Sequence, residues 1–133
     1  MRVVKSSEEF APVLDEPRSV VMLHGEWSSS SQWSFCHVHR WLSSHDNAVL
    51  NYWAPTFCVY LPPQTHDFVA KWIEQNPLAQ VRDEQGNLTH LGNMGPLCWV
   101  TAGQVTAFSR MPGNLSFDEL NQMTHEAFSR TNI

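Results

Sequence analysis

Residues 19–23 read SVVML, and no other stretch restricts the possible folds of this chain as much. The run is too short for a helix, rich in β-branched residues, and suited to a central strand buried on both faces. A sheet covered on both faces needs helices, and the flanking sequence offers them. Upstream, Ser6 and Ser7 precede EEFAPVL with Glu9 three residues after Ser6, the pattern of a capping box opening a short helix. Pro12 removes a donor inside that helix and Pro17 stops it. Downstream, Trp33, Cys36 or His37, Arg40 and Trp41 recur at three- and four-residue spacing, so a helix is expected over 33–44.

Further on, AVLNYW (48–53) and TFCVYL (56–61) both read as strands, with Pro62-Pro63 closing the second. HDFVAKWIEQN (66–76) places Phe68, Val69, Trp72 and Ile73 on one helical face. Residues 78–92 suggest a hairpin around Gln85-Gly86-Asn87, and a clearer one pairs 96–101 with 104–110 across Ala102-Gly103. A last helix follows Ser116, which forms a capping box with Glu119 and precedes a stripe of Phe117, Leu120, Met123, Thr124 and Phe128. Strands that alternate with helices and end in an antiparallel pair predict an α/β fold. Its centre is a mixed β-sheet of four to five strands, flanked by helices on both faces.

At 133 residues, 42% hydrophobic and 16% charged, the chain has the length and composition of one globular domain, expected to span 1–133. The net charge of −5 comes without any Lys/Arg cluster, which argues against nucleic acid or an anionic membrane as partner. No apolar stretch approaches the roughly 20 residues of a membrane span. MRVVKSSEEF has no continuous apolar segment of the secretory kind, so a cytoplasmic location is expected. Cys36, Cys58 and Cys98 lack CxxC spacing, and suggest neither a disulfide framework nor a zinc knuckle.

The order of elements and several strings resemble thioredoxin. In that family a short helix leads to an apolar strand, which runs into Trp-Cys-Gly-Pro-Cys at the start of a long helix. SSEEFAPVLDEPRSVVMLHGEWSSSSQW follows this plan with Trp27-Ser28-Ser29-Ser30-Ser31 in place of the motif. At the far end the family has a cis-proline before a β-hairpin, then a glycine and a capped helix. GPLCWVTAGQVTAFSRMPGNLSFDELNQM matches that layout, with Pro96 as the candidate cis-proline and Gly113 as the glycine. The likeness covers roughly 6–44 and 94–128; the middle is longer than the family needs.

Thioredoxin chemistry requires a thiolate at a helix N-terminus, where free N–H groups and the helix dipole lower its pKa, and a second cysteine to resolve the mixed disulfide. The two cysteine positions fall on Ser28 and Ser31, whose hydroxyls are far less acidic and cannot form a disulfide. The family also buries a proton-accepting aspartate in the preceding strand, and its place is taken by Met22. Loss of all three groups points to a naturally redox-inactive member. Read as a plain helix start, Ser28 is an N-cap that satisfies N–H groups.

By resemblance, Trp27, Gly95, Pro96 and Gly113 would line the groove that holds an extended polypeptide in the family. Trp27 and Trp33, bracketing a surface loop, are further interaction anchors. The expected function is therefore protein or peptide binding, or chaperone-like assembly, with no catalytic residue, metal or cofactor. This is the type of the CxxC-lacking accessory factors of hydrogenase maturation. The alternative is an enzyme, a thiol-dependent oxidoreductase or glutathione-dependent transferase, acting through Cys36 or Ser28. Cys36 and His39 share a helix face, but no second pair of zinc ligands accompanies them, so a buried cysteine beside exposed histidines is the expected arrangement.

Overall fold

The computed structural model describes residues 1–62 and 67–129. Five strands, β1 (Arg2–Val4), β2 (Arg18–His24), β3 (Thr56–Tyr60), β4 (Leu97–Thr101) and β5 (Gln104–Ser109), form one sheet in the order β1-β3-β2-β4-β5. β3 pairs in parallel with β1 and β2, whereas β4 runs antiparallel to β2 and β5. The SVVML run lies in the middle strand, where Val20 to Leu23 are buried. Its residues alternate between two cores, as the pleat requires.

Val21 and Leu23 face one core with Phe10 and Val13 of α1 (Ser7–Asp15) and Val69, Trp72 and Ile73 of α3 (Asp67–Glu74). Val20 and Met22 face the other, with Val38 and Trp41 of α2 (Ser29–Ser43) and Leu120, Ala127 and Phe128 of α4 (Phe117–Ser129). The helices thus cover both faces in pairs. Trp99 on β4 is buried in the second core, where its Nε1–H donates to Thr124 Oγ1 at 2.9 Å. No helix among the described residues is long and apolar enough to cross a membrane.

The caps explain where the helices begin. Ser6 Oγ accepts the Glu9 N–H at 3.2 Å, while the Glu9 carboxylate accepts the Lys5 N–H at 3.1 Å. At α4 the exchange is reciprocal between Ser116 and Glu119, at 3.1 and 3.0 Å. α2 starts earlier than the aromatic spacing indicates, because Ser28 is its N-cap and the next three serines belong to its first turn. In the β4–β5 hairpin Ala102 and Gly103 have φ of 50° and 80°, the left-handed pair that matches strand twist.

Three expectations are corrected. AVLNYW is not a strand: Ala48–Tyr52 forms a 3-10 helix. Asn47 donates to the Leu42 and Ser44 carbonyls, and Asn121 Oδ1 accepts both the Ala48 N–H and the Trp41 indole N–H, tying this turn to α2 and α4. The hairpin at 78–92 shrinks to a single bridge, Arg82↔Leu88, around a turn in which Asp83 Oδ1 accepts the Gln85 and Asn87 N–H groups. The cis peptide expected at Pro96 is absent, since no cis bond occurs among the described residues. Gly95 bends the chain there instead, with φ of 66°. The expected helix start at His66 and the strand-closing Pro63 lie outside the described residues.

Candidate functional site

The C-terminal ends of β2 and β3, the first turn of α2 and the segment before β4 meet at one end of the sheet. Ser28 and Ser31 hold this junction together. The Ser28 hydroxyl donates to the Asn93 carbonyl at 2.6 Å, while its oxygen accepts the Ser31 N–H at 3.4 Å. Ser31 is fully buried: its oxygen accepts the Gly25 N–H at 2.9 Å and lies 2.7 Å from His24 Nδ1. The hydroxyl has one proton and two lone pairs, so beside the Gly25 N–H it either donates to Nδ1 or accepts from it, according to the imidazole tautomer.

His24 is buried at the end of β2, with its ring stacked on Phe35 at 4.6 Å and edge-on to Tyr60 at 5.4 Å. Burial lowers its pKa below the ordinary 6.5, and the Glu26 carboxylate opposes the shift. The neutral ring therefore contributes stability in full above pH 6.5, and the contribution is lost as the pH falls through the lowered folded value. Denaturant titrations of the wild type and His24→Gln should converge in stability as the pH drops below that of the free imidazole. A stability difference independent of pH would show that the ring does not titrate on unfolding.

Gly95 sits directly behind this serine. A Cβ on Gly95 would lie 2.7 Å from Ser31 Oγ, 3.0 Å from Ser31 Cα and 3.1 Å from Met22 Cε. Ser31 and the end of the Met22 side chain thus both close on Gly95. Gly95 and Pro96 are buried, and the Pro96 carbonyl accepts the Leu23 N–H at 3.0 Å. The accessible members of the expected groove are the two tryptophans and half-buried Gly113. Trp33, 53% exposed, lies against Gly113, whose N–H donates to Ser34 Oγ at 3.4 Å.

Trp27, 44% exposed, has different neighbours. Its Nε1–H donates to the Leu61 carbonyl at 3.2 Å and its ring meets His90 edge-on at 5.5 Å. His90 in turn donates from Nε2 to the Pro62 carbonyl and accepts the Gly92 N–H at Nδ1. Beside Trp27 opens a pocket of 290 Å³ lined by Lys5, Glu26, Tyr60, Leu61 and Pro62 as well. Its lining follows the carboxyl ends of the three parallel strands, where open α/β sheets hold ligands. Lys5 Nζ stands 5.2 Å from the centroid of the Tyr60 ring.

The thiols lie away from the helix start. Cys58 and Cys98 are buried strand residues; desolvation pushes the Cys58 thiol up to about 12 and raises Cys98 further. Cys36, expected to be buried beside exposed histidines, is instead exposed on α2, two turns in, and it is His37 that is half-buried, bonded through Nε2 to the Leu115 carbonyl at 2.6 Å. Among the described residues no three His, Cys, Asp or Glu side chains are placed to hold a metal ion. Sequence reading missed the role of His24, although a histidine ending an apolar strand just before the serines was the available signal. It also missed the Lys5–Glu26–Tyr60 pocket, whose members are far apart in the chain.

No family model and no curated protein matches the chain. Among solved structures, it is similar to one described as a candidate oxidoreductase with a thioredoxin fold. That match has a TM-score of 0.58 at 13% identity, over 91% of this chain and 92% of the other. The chain has a thioredoxin-like fold.

Proposed function

We infer that this is a redox-inactive thioredoxin-like protein that binds a protein or peptide partner beside the start of α2, without exchanging disulfides. The observation that carries the reading is the engagement of both serines at the cysteine positions. One hydroxyl is spent on the Asn93 carbonyl and the other is buried between Gly25 and His24. Neither is a thiol, and Met22 replaces the acidic proton acceptor beneath them. Trp27 and Trp33 flank that helix start and remain solvent-accessible, the feature of an aromatic anchor pair.

The test joins two measurements. Insulin reduction and glutathione conjugation by the wild type should stay at background, and turnover in either would replace this reading with the enzymatic one through Cys36 or Ser28. A partner copurified from the native source should bind the wild type but be lost from the double variant Trp27→Ala/Trp33→Ala. The loss should be at least about thirtyfold in Kd, the effect of a binding hot spot. Retention of the partner by that variant would place the binding surface elsewhere.

A further inference from the structure

The pocket beside Trp27 holds two opposite charges that do not meet. Lys5 and Glu26 both line it, yet neither forms an ion pair with the other or with any other described residue. The Lys5 ammonium rests instead over the Tyr60 ring, 5.2 Å from its centroid. Burial raises the Tyr60 pKa, and Cys58 and Glu26 add to the rise, so the field of the Glu26 carboxylate reaches the same ring. Three parallel strands deliver these groups: Lys5 follows β1, Tyr60 ends β3, and Glu26 and Trp27 follow β2. The lining is also fastened. The Lys5 N–H donates to the Glu9 carboxylate, the Glu26 carbonyl accepts from the Gln32 side chain, and the Trp27 indole is bonded to Leu61.

These charges restrict what can enter. An apolar occupant would take water from both and supply a partner for neither. A purely cationic one would meet Glu26 but be repelled by Lys5, and a purely anionic one the reverse. Only an occupant carrying both signs answers the two groups at once. An extended chain offers both signs on one face, because side chains at i and i+2 point the same way, about 6.5 Å apart. That spacing is comparable to the width of a 290 Å³ pocket. The aliphatic stems of two long charged side chains would then lie along Trp27 and Tyr60, with their heads at the rim.

We propose that this pocket selects the partner by charge pattern. It takes an extended segment bearing one acidic and one basic side chain two residues apart, the acid facing Lys5 and the base facing Glu26. This rests on peptide binding beside the start of α2, and it gives that peptide its chemistry.

Three short peptides blocked at both ends test it: Gly-Glu-Ser-Lys-Gly, Gly-Glu-Ser-Glu-Gly and Gly-Lys-Ser-Lys-Gly. Binding is read from the indole N–H signals in nitrogen–proton correlation spectra, with Trp27 assigned by its loss in Trp27→Phe. The mixed-charge peptide should move the Trp27 signal and bind about tenfold more tightly than either like-charged one. Lys5→Glu and Glu26→Lys should each weaken it about tenfold. The double reversal should restore the preference for mixed charge, which also shows that the variants fold. Equal binding of the three peptides, a Trp27 signal that none of them moves, or free lysine and glutamate acting as well as the peptide would overturn the proposal. A copurified partner lost from Trp27→Ala/Trp33→Ala but held equally by Lys5→Glu would overturn this selectivity and leave peptide binding beside α2 intact.

Discussion

Gly25→Ala is expected to lower the stability of the protein by about 3 kcal/mol, the upper part of the overpacking range, and the Tm by roughly 10 °C. A Cβ at this position would stand 2.4 Å from the Gly92 carbonyl oxygen and 2.9 Å from its carbon. Both are backbone atoms, and they cannot rotate away as a side chain would. Relief requires moving either the end of β2 or the segment 91–95, which carries the Asn93 carbonyl bonded by Ser28. The loss should therefore include the Ser28 interaction as well as the clash. Urea denaturation measures it directly; a variant within about 1 kcal/mol of the wild type would mean that the two backbones separate readily.

Ser31→Val should destabilise by an amount of the same order. The change removes the acceptor of the Gly25 N–H and the partner of His24 Nδ1, both buried, and each orphaned group costs about 1–3 kcal/mol. The added methyl enters a space bounded by Gly95 and Met22 that has no slack. Ser28→Ala provides the scale, because loss of a helix N-cap costs about 1 kcal/mol. If both variants lost the same amount, Ser31 would be no more than a second cap. A markedly larger loss at Ser31 identifies the hydroxyl as part of the core.

The parts of the fold that could be read from sequence were those fixed by local rules. The short β-branched run SVVML, the capping boxes at Ser6 and Ser116 and the Ala102-Gly103 turn each determine their own geometry within a few residues. AVLNYW misled because a 3-10 turn against two helices and a strand use the same apolar residues; the difference rests with Asn47 and Asn121, which lie 74 positions apart by numbering. β1 has only three residues and forms because β3 offers it an edge, a long-range fact with no local signature. At the site, the residues themselves indicated Ser28 as a helix N-cap, which it is, whereas the parts given to Ser31 and Met22 came only from the resemblance to thioredoxin. The burial of Gly95 and Pro96, and the bond from His24 to Ser31, depend on how the segment before β4 closes over α2.

His90 gives one more result of that closure. Its Nε2–H reaches the Pro62 carbonyl at 2.9 Å, so the chain returns at residue 90 to the point it left at residue 62. Between them, the described residues 67–89 are anchored to the sheet layer through Val69, Trp72 and Ile73 of α3. Loop-closure cost grows only logarithmically with length, and here both ends are already fastened side by side. The middle of this chain can thus exceed the length of the basic fold without altering strand order or register. Insertions there are absorbed sideways, and the junction around Ser28 and Ser31 keeps its geometry.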